Sequence, residues 1–137
     1  METSAIEQVH KLQTEFFRSG SSLSYPFRLE ALKKLKASIL QYEEDIYDAL
    51  WKDLHKSKFE AYASEIGFVL EELSFHIRKL KSWMKPKKVS SGLTMFPAST
   101  YKYHEPLGNV FIIAPWNYPF QLLIAPLIGA ISAGNTV

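Results

Sequence analysis

The chain has 137 residues, 47% of them apolar and 22% charged, a globular composition that argues against disorder. Basic and acidic side chains number 16 and 14, and the formal charge of +2 is too small to argue for nucleic acid as a partner. Cysteine is absent, which excludes disulfides, thiolate–zinc sites and a thiol nucleophile within these residues.

Met1-Glu2-Thr3-Ser4 has neither a basic nor an apolar leader character, so no signal peptide is read and a cytoplasmic protein is expected. Ser4-Ala5-Ile6-Glu7 has the form of a capping box. Ile6, Val9, Leu12 and Phe16 then recur at helical spacing until Gly20. Pro26 suits the first turn of a second helix, with Leu29, Leu32, Leu35, Ile39 and Leu40 as its buried stripe. Glu43-Glu44-Asp45 favours the start of a further helix running through Leu54. Phe59, Ala63, Ile66, Leu70, Leu73, Ile77, Leu80 and Met84 alternate steps of four and three until Pro86 ends the run. Too short for a sustained coiled coil, this seam reads as the core stripe of a helical bundle.

Lys85, Lys87 and Lys88 cluster around Pro86, and cations near a helix C-terminus need no function. His10, His55, His76 and His104 show no ligand spacing, so no metal site is expected. Thr100 to His104 is rich in strand formers, and pairing with Leu93–Phe96 would make a β-arm. Beyond Glu105 no charged side chain remains, and the chain changes character there. Gly108–Ala114 reads as a strand buried on both faces of a parallel sheet. Pro115-Trp116-Asn117-Tyr118-Pro119 is a tight connection, Phe120–Ala133 an apolar helix, Gly134 its left-handed cap, and Thr136-Val137 the onset of a second strand. That is the opening of a βαβ unit, and the expected fold class is α/β.

Phe111 to Ala130 is uncharged and long enough to span a bilayer, but Pro115, Pro119, Pro126, Asn117 and Gln121 fit a membrane helix poorly. Ligands of open α/β sheets sit beyond the carboxyl ends of strands, which puts Asn117 at the functional edge. Its amide could stabilise an oxyanion, or simply bond its own backbone in the turn, and local physics leaves both readings open.

Glu105-Pro106-Leu107-Gly108, Pro115-Trp116-Asn117-Tyr118-Pro119, and Gly129-Ala130 to Gly134-Asn135-Thr136-Val137 together resemble the aldehyde dehydrogenase superfamily. Upstream, Asp53-Leu54-His55-Lys56-Ser57, Glu60-Ala61-Tyr62 and Val69-Leu70-Glu71-Glu72 are similar to its class 3 branch. The resemblance implies NAD- or NADP-dependent oxidation of an aldehyde to a carboxylic acid. A cysteine thiolate attacks the carbonyl, the thiohemiacetal gives hydride to the nicotinamide, and glutamate-assisted water hydrolyses the thioester. By resemblance Asn117 donates its amide to the oxyanion, Ile113, Ala114, Pro115 and Trp116 line the cofactor cleft, and Tyr118 and Leu122 border the aldehyde pocket.

The fold implied is a helical segment over residues 1–89, an extended arm over 90–106 that joins a homodimer, and from 107 the first strand–helix unit of a Rossmann-like cofactor domain. The family's cysteine, glutamate and glycine-rich turn are not in this sequence. By resemblance the chain is about the first third of the enzyme, and no activity is expected of it alone. A competing reading is a helical interaction module with an apolar membrane-anchoring tail, and a third is a truncated homologue that regulates a full-length partner.

Overall fold

The computed structural model describes residues 3–137, with side chains from residue 5 onward; the cap read at Ser4 lies outside the described side chains. The helices are α1 (Thr3–Arg18), α2 (Tyr25–Gln41), α3 (Glu43–Leu54), α4 (Lys58–Ala61), α5 (Gly67–Trp83) and α6 (Pro119–Ala133). Ser24 caps α2, accepting from the Phe27 N–H at 3.4 Å, and Pro26 sits in the first turn, where its missing N–H is harmless. Glu43, Glu44 and Asp45 occupy the first turn of α3, as their charge favours.

The core lies where α5 packs between α2 and α6. Leu32 and Ile39 from α2, Ile66, Val69, Leu73 and Leu80 around α5, and Ile128 from α6 are all buried. Each such side chain contributes about 1.5–3 kcal/mol by leaving water. The seam is thus a bundle core, but it does not run its expected length. Phe59 is 84% exposed and Ala63 is exposed, whereas Ala61 and Glu65 are buried. The cause is one turn of π-helix, Tyr62–Ile66, between α4 and α5. Its extra residue rotates the helix face, so the stripe read from period 3.5 slips out of register before Ile66. Gly67 lets the widened turn close: a Cβ there would stand 2.9 Å from the Tyr62 carbonyl oxygen.

Two strands, β1 (Lys87–Val89) and β2 (Thr100–Lys102), pair antiparallel with Lys88 opposite Tyr101. This corrects the expected pairing: Leu93–Met95 is a 3₁₀ turn in the connecting loop, and the partner of β2 is the segment just after Pro86. Pro86 stops α5, and the extended residues after it are free to join the hairpin.

The segment Gly108–Ala114 is also corrected. It forms no regular strand: Gly108 bends the chain at φ 121°, and the segment pairs only through the parallel bridge Asn109–Thr136, with Phe111 86% and Ile113 81% exposed. A parallel strand is buried only when neighbours flank it and helices cover both faces. Among the described residues, Thr136 alone pairs with it. The register is set by side chains, with Thr136 Oγ1 donating to Asn109 Oδ1 at 2.5 Å and Gly108 N–H to Asn135 Oδ1 at 2.9 Å.

α6 ends as read, on Gly134 at φ 94°, whose N–H bonds the Ala130 carbonyl at 3.1 Å. Arg28 crosses from α2 to this end, donating to the carbonyls of Ser22 at 3.0 Å and Ser132 at 3.2 Å. Burial pulls its guanidinium below the ordinary arginine pKa. Among the described residues no helix is long and apolar enough to cross a membrane, and the uncharged stretch from Phe111 divides into an irregular run and the 15-residue α6.

Candidate functional site

The turn after Ala114 is held from below by two buried charges. α3 ends on His55 in a left-handed conformation, φ 53°, which redirects the chain so that Lys56 points inward, 7% exposed. Ser57 then caps α4 through a bond from the Glu60 N–H at 3.2 Å. The π turn that follows brings Glu65 to the same interior, fully buried. Lys56 Nζ lies 2.5 Å from Glu65 Oε1.

Both groups use their remaining capacity on the backbone of the turn. Glu65 Oε2 accepts from the N–H groups of Phe120 at 2.9 Å and Gln121 at 3.2 Å, the unpaired donors of the first turn of α6. Lys56 Nζ donates to the carbonyl of Asn117 at 2.9 Å and sits 4.0 Å from the centroid of the Tyr118 ring. The charge pair therefore satisfies an anion-seeking helix end and a carbonyl together.

Above this platform Asn117 presents an exposed side chain, with its backbone rather than its amide tied down. Ile113 and Trp116 stand 81% and 88% exposed, Ala114 is half-buried and Pro115 exposed. Tyr118 is brought against Lys56, and Leu122 lies half-buried on the first turn of α6, its N–H bonded to the Tyr118 carbonyl at 3.0 Å. Six of the seven positions thus follow one another from Ile113 to Tyr118, and Leu122 joins them through its bond to the Tyr118 carbonyl. Lys56 and Glu65 were not read as site residues from the residues themselves. The available signal was a carboxylate, Glu65, adjoining Ile66 on an otherwise apolar stripe, which a helical period places on the wrong face.

A turn followed by a helix and a parallel return is the pattern of an α/β protein. The comparison with known proteins names the family. The aldehyde dehydrogenase family model matches residues 2–137. A Staphylococcus aureus protein, 4,4'-diaponeurosporen-aldehyde dehydrogenase, is 50% identical over 131 residues, which is 96% of this chain and 28% of the relative. The dimeric NADP-preferring aldehyde dehydrogenase of Canis lupus familiaris is 40% identical over 98% of this chain and 30% of its own length. The solved substrate-bound state of Staphylococcus aureus AldH superposes with a TM-score of 0.95 at 48% identity, over 99% of this chain and 29% of that one. The chain belongs to the aldehyde dehydrogenase family, and it spans less than a third of the length of these relatives.

Proposed function

We propose that this chain carries the oxyanion-binding turn of an NAD- or NADP-dependent aldehyde dehydrogenase that oxidises aldehydes to carboxylic acids. The observation that carries the reading is the exposed Asn117 side chain, standing at the carboxyl end of the Gly108–Ala114 segment on a backbone fixed from beneath. An uncharged amide in that position donates N–H to an oxygen as it gains charge, and a donor held in advance loses no energy to reorganisation. Tyr118 and Leu122 border the aldehyde.

The exposed apolar edge of Ile113, Ala114, Pro115 and Trp116 fits a flat ring system, since Trp116 and Ile113 offer broad uncharged surface. These residues would hold the dinucleotide, which when bound accepts hydride. The thiol nucleophile has to come from residues outside these 137, which contain no cysteine, so we expect the chain alone to be inactive. A homodimer is part of the same reading. It is supported by the loop of the β1–β2 hairpin, where Leu93 at 95% and Phe96 at 85% exposure offer apolar surface for a second subunit.

The test uses the complete enzyme, obtained by joining residues 1–137 to the remainder of a matched aldehyde dehydrogenase such as Staphylococcus aureus AldH. Asn117→Ala should lower kcat by about a hundredfold or more, the scale of one lost oxyanion donor, with cofactor affinity little changed. Turnover within about threefold of the parent would remove Asn117 from the mechanism.

A further inference from the structure

Burying an ammonium and a carboxylate together is seldom the most stable use of a core position, because apolar residues of equal volume serve as well or better. The Lys56–Glu65 pair nevertheless lies wholly inside, its side chains 8% and 0% exposed. What an apolar pair could not do is meet the backbone beside it. It would leave the N–H groups of Phe120 and Gln121 and the carbonyl of Asn117 without these partners.

We propose that Lys56 and Glu65 are positioning residues for the Asn117 amide. The inference rests on the reading of Asn117 given above. Glu65 fixes the first turn of α6, which begins immediately after Tyr118, and Lys56 fixes the peptide plane that follows Asn117. Between these anchors Pro119 stiffens the chain, and the ammonium over the Tyr118 ring orients the next side chain. The direction in which Asn117 projects is thus set by two side chains from a distant part of the sequence. An oxyanion donor displaced by about 1 Å loses much of its effect, on the order of a hundredfold for a general misplacement.

Glu65→Ala strands the Lys56 charge and endangers the fold, so the informative variant is the neutral pair Lys56→Met with Glu65→Gln. It leaves no unpaired buried charge, and the glutamine oxygen can still accept from α6. In the complete enzyme this pair should lower kcat about tenfold, with cofactor Kd and melting temperature near the parent values. In an Asn117→Ala background the same pair should cost less than a further twofold, because the group it positions is gone. A purely structural role predicts the same proportional loss in both backgrounds. That result, or a kcat within threefold of the parent for the neutral pair, overturns the positioning role while leaving the Asn117 reading intact. If Asn117→Ala alone leaves turnover unchanged, it is the oxyanion reading that fails, and the two failures are told apart by that single variant.

Discussion

Gly134 is the position at which one methyl group should do the most damage. At φ 94° it sits in the left-handed region, and a Cβ there would lie 2.5 Å from the Cζ and Nη2 of Arg28. The strain of a non-glycine residue in that conformation is about 1–2 kcal/mol. A flexible arginine tip could ordinarily move aside, but this one is buried and donates to the Ser22 and Ser132 carbonyls, and each such charged bond is worth about 1.5–3 kcal/mol. Strain plus one disrupted bond gives a loss of about 2.5–5 kcal/mol for Gly134→Ala. Amide hydrogen exchange of α6 peptides, read by mass spectrometry in the complete enzyme, should then accelerate by about two orders of magnitude or more. The clash and the strain are separable. In an Arg28→Ala background the added cost of Gly134→Ala should shrink to the strain alone, about 1–2 kcal/mol. Exchange within about threefold of the parent for Gly134→Ala, or an unchanged increment without Arg28, would refute the argument.

Ile66→Asp or Leu73→Asp places a charge at a fully buried position and should destabilise the complete enzyme by about 3 kcal/mol or more, while the exposed Glu71→Ala should be nearly silent; melting temperatures unchanged by both seam variants would contradict the packing. Burial, followed by the bond to Glu43, pushes the Tyr47 phenol up from 10.0 to about 12. Because the folded state holds that proton more tightly, the contribution is full below pH 10 and is lost as pH rises toward about 12; Tyr47→Phe should abolish the last step of the phenolate absorbance titration. The 137 residues made alone should associate rather than remain monomeric, given Leu107, Phe111, Ile113 and Trp116 each at least 81% exposed, and should neither bind NAD nor oxidise aldehydes. A cooperative melt from a monodisperse monomer, or NAD binding by calorimetry, would contradict that expectation.

Local chemistry was legible in the sequence wherever a local force decides. α2 starts with a proline in its first turn, α3 at three acids, and α6 stops at a glycine, all read from neighbours in the chain because caps and turns are satisfied within a few residues. The parallel onset at Thr136 was legible for the same reason, from an apolar run followed by turn, helix and return. The Asn117 turn could be located, but not its support. The sequence could not reveal that the seam shifts register at Tyr62–Ile66, since a π turn keeps helical composition and changes only which face looks inward. Nor could it pair β1 with β2, because strand partners are chosen by long-range fit rather than by propensity. Lys56 and Glu65 show the division most clearly. In sequence they are ordinary surface-type residues nine positions apart. Only the packing of α3, the π turn and α6 against one another removes them from water, and a charge so removed must find partners, which here are the backbone atoms of the turn more than fifty residues further on.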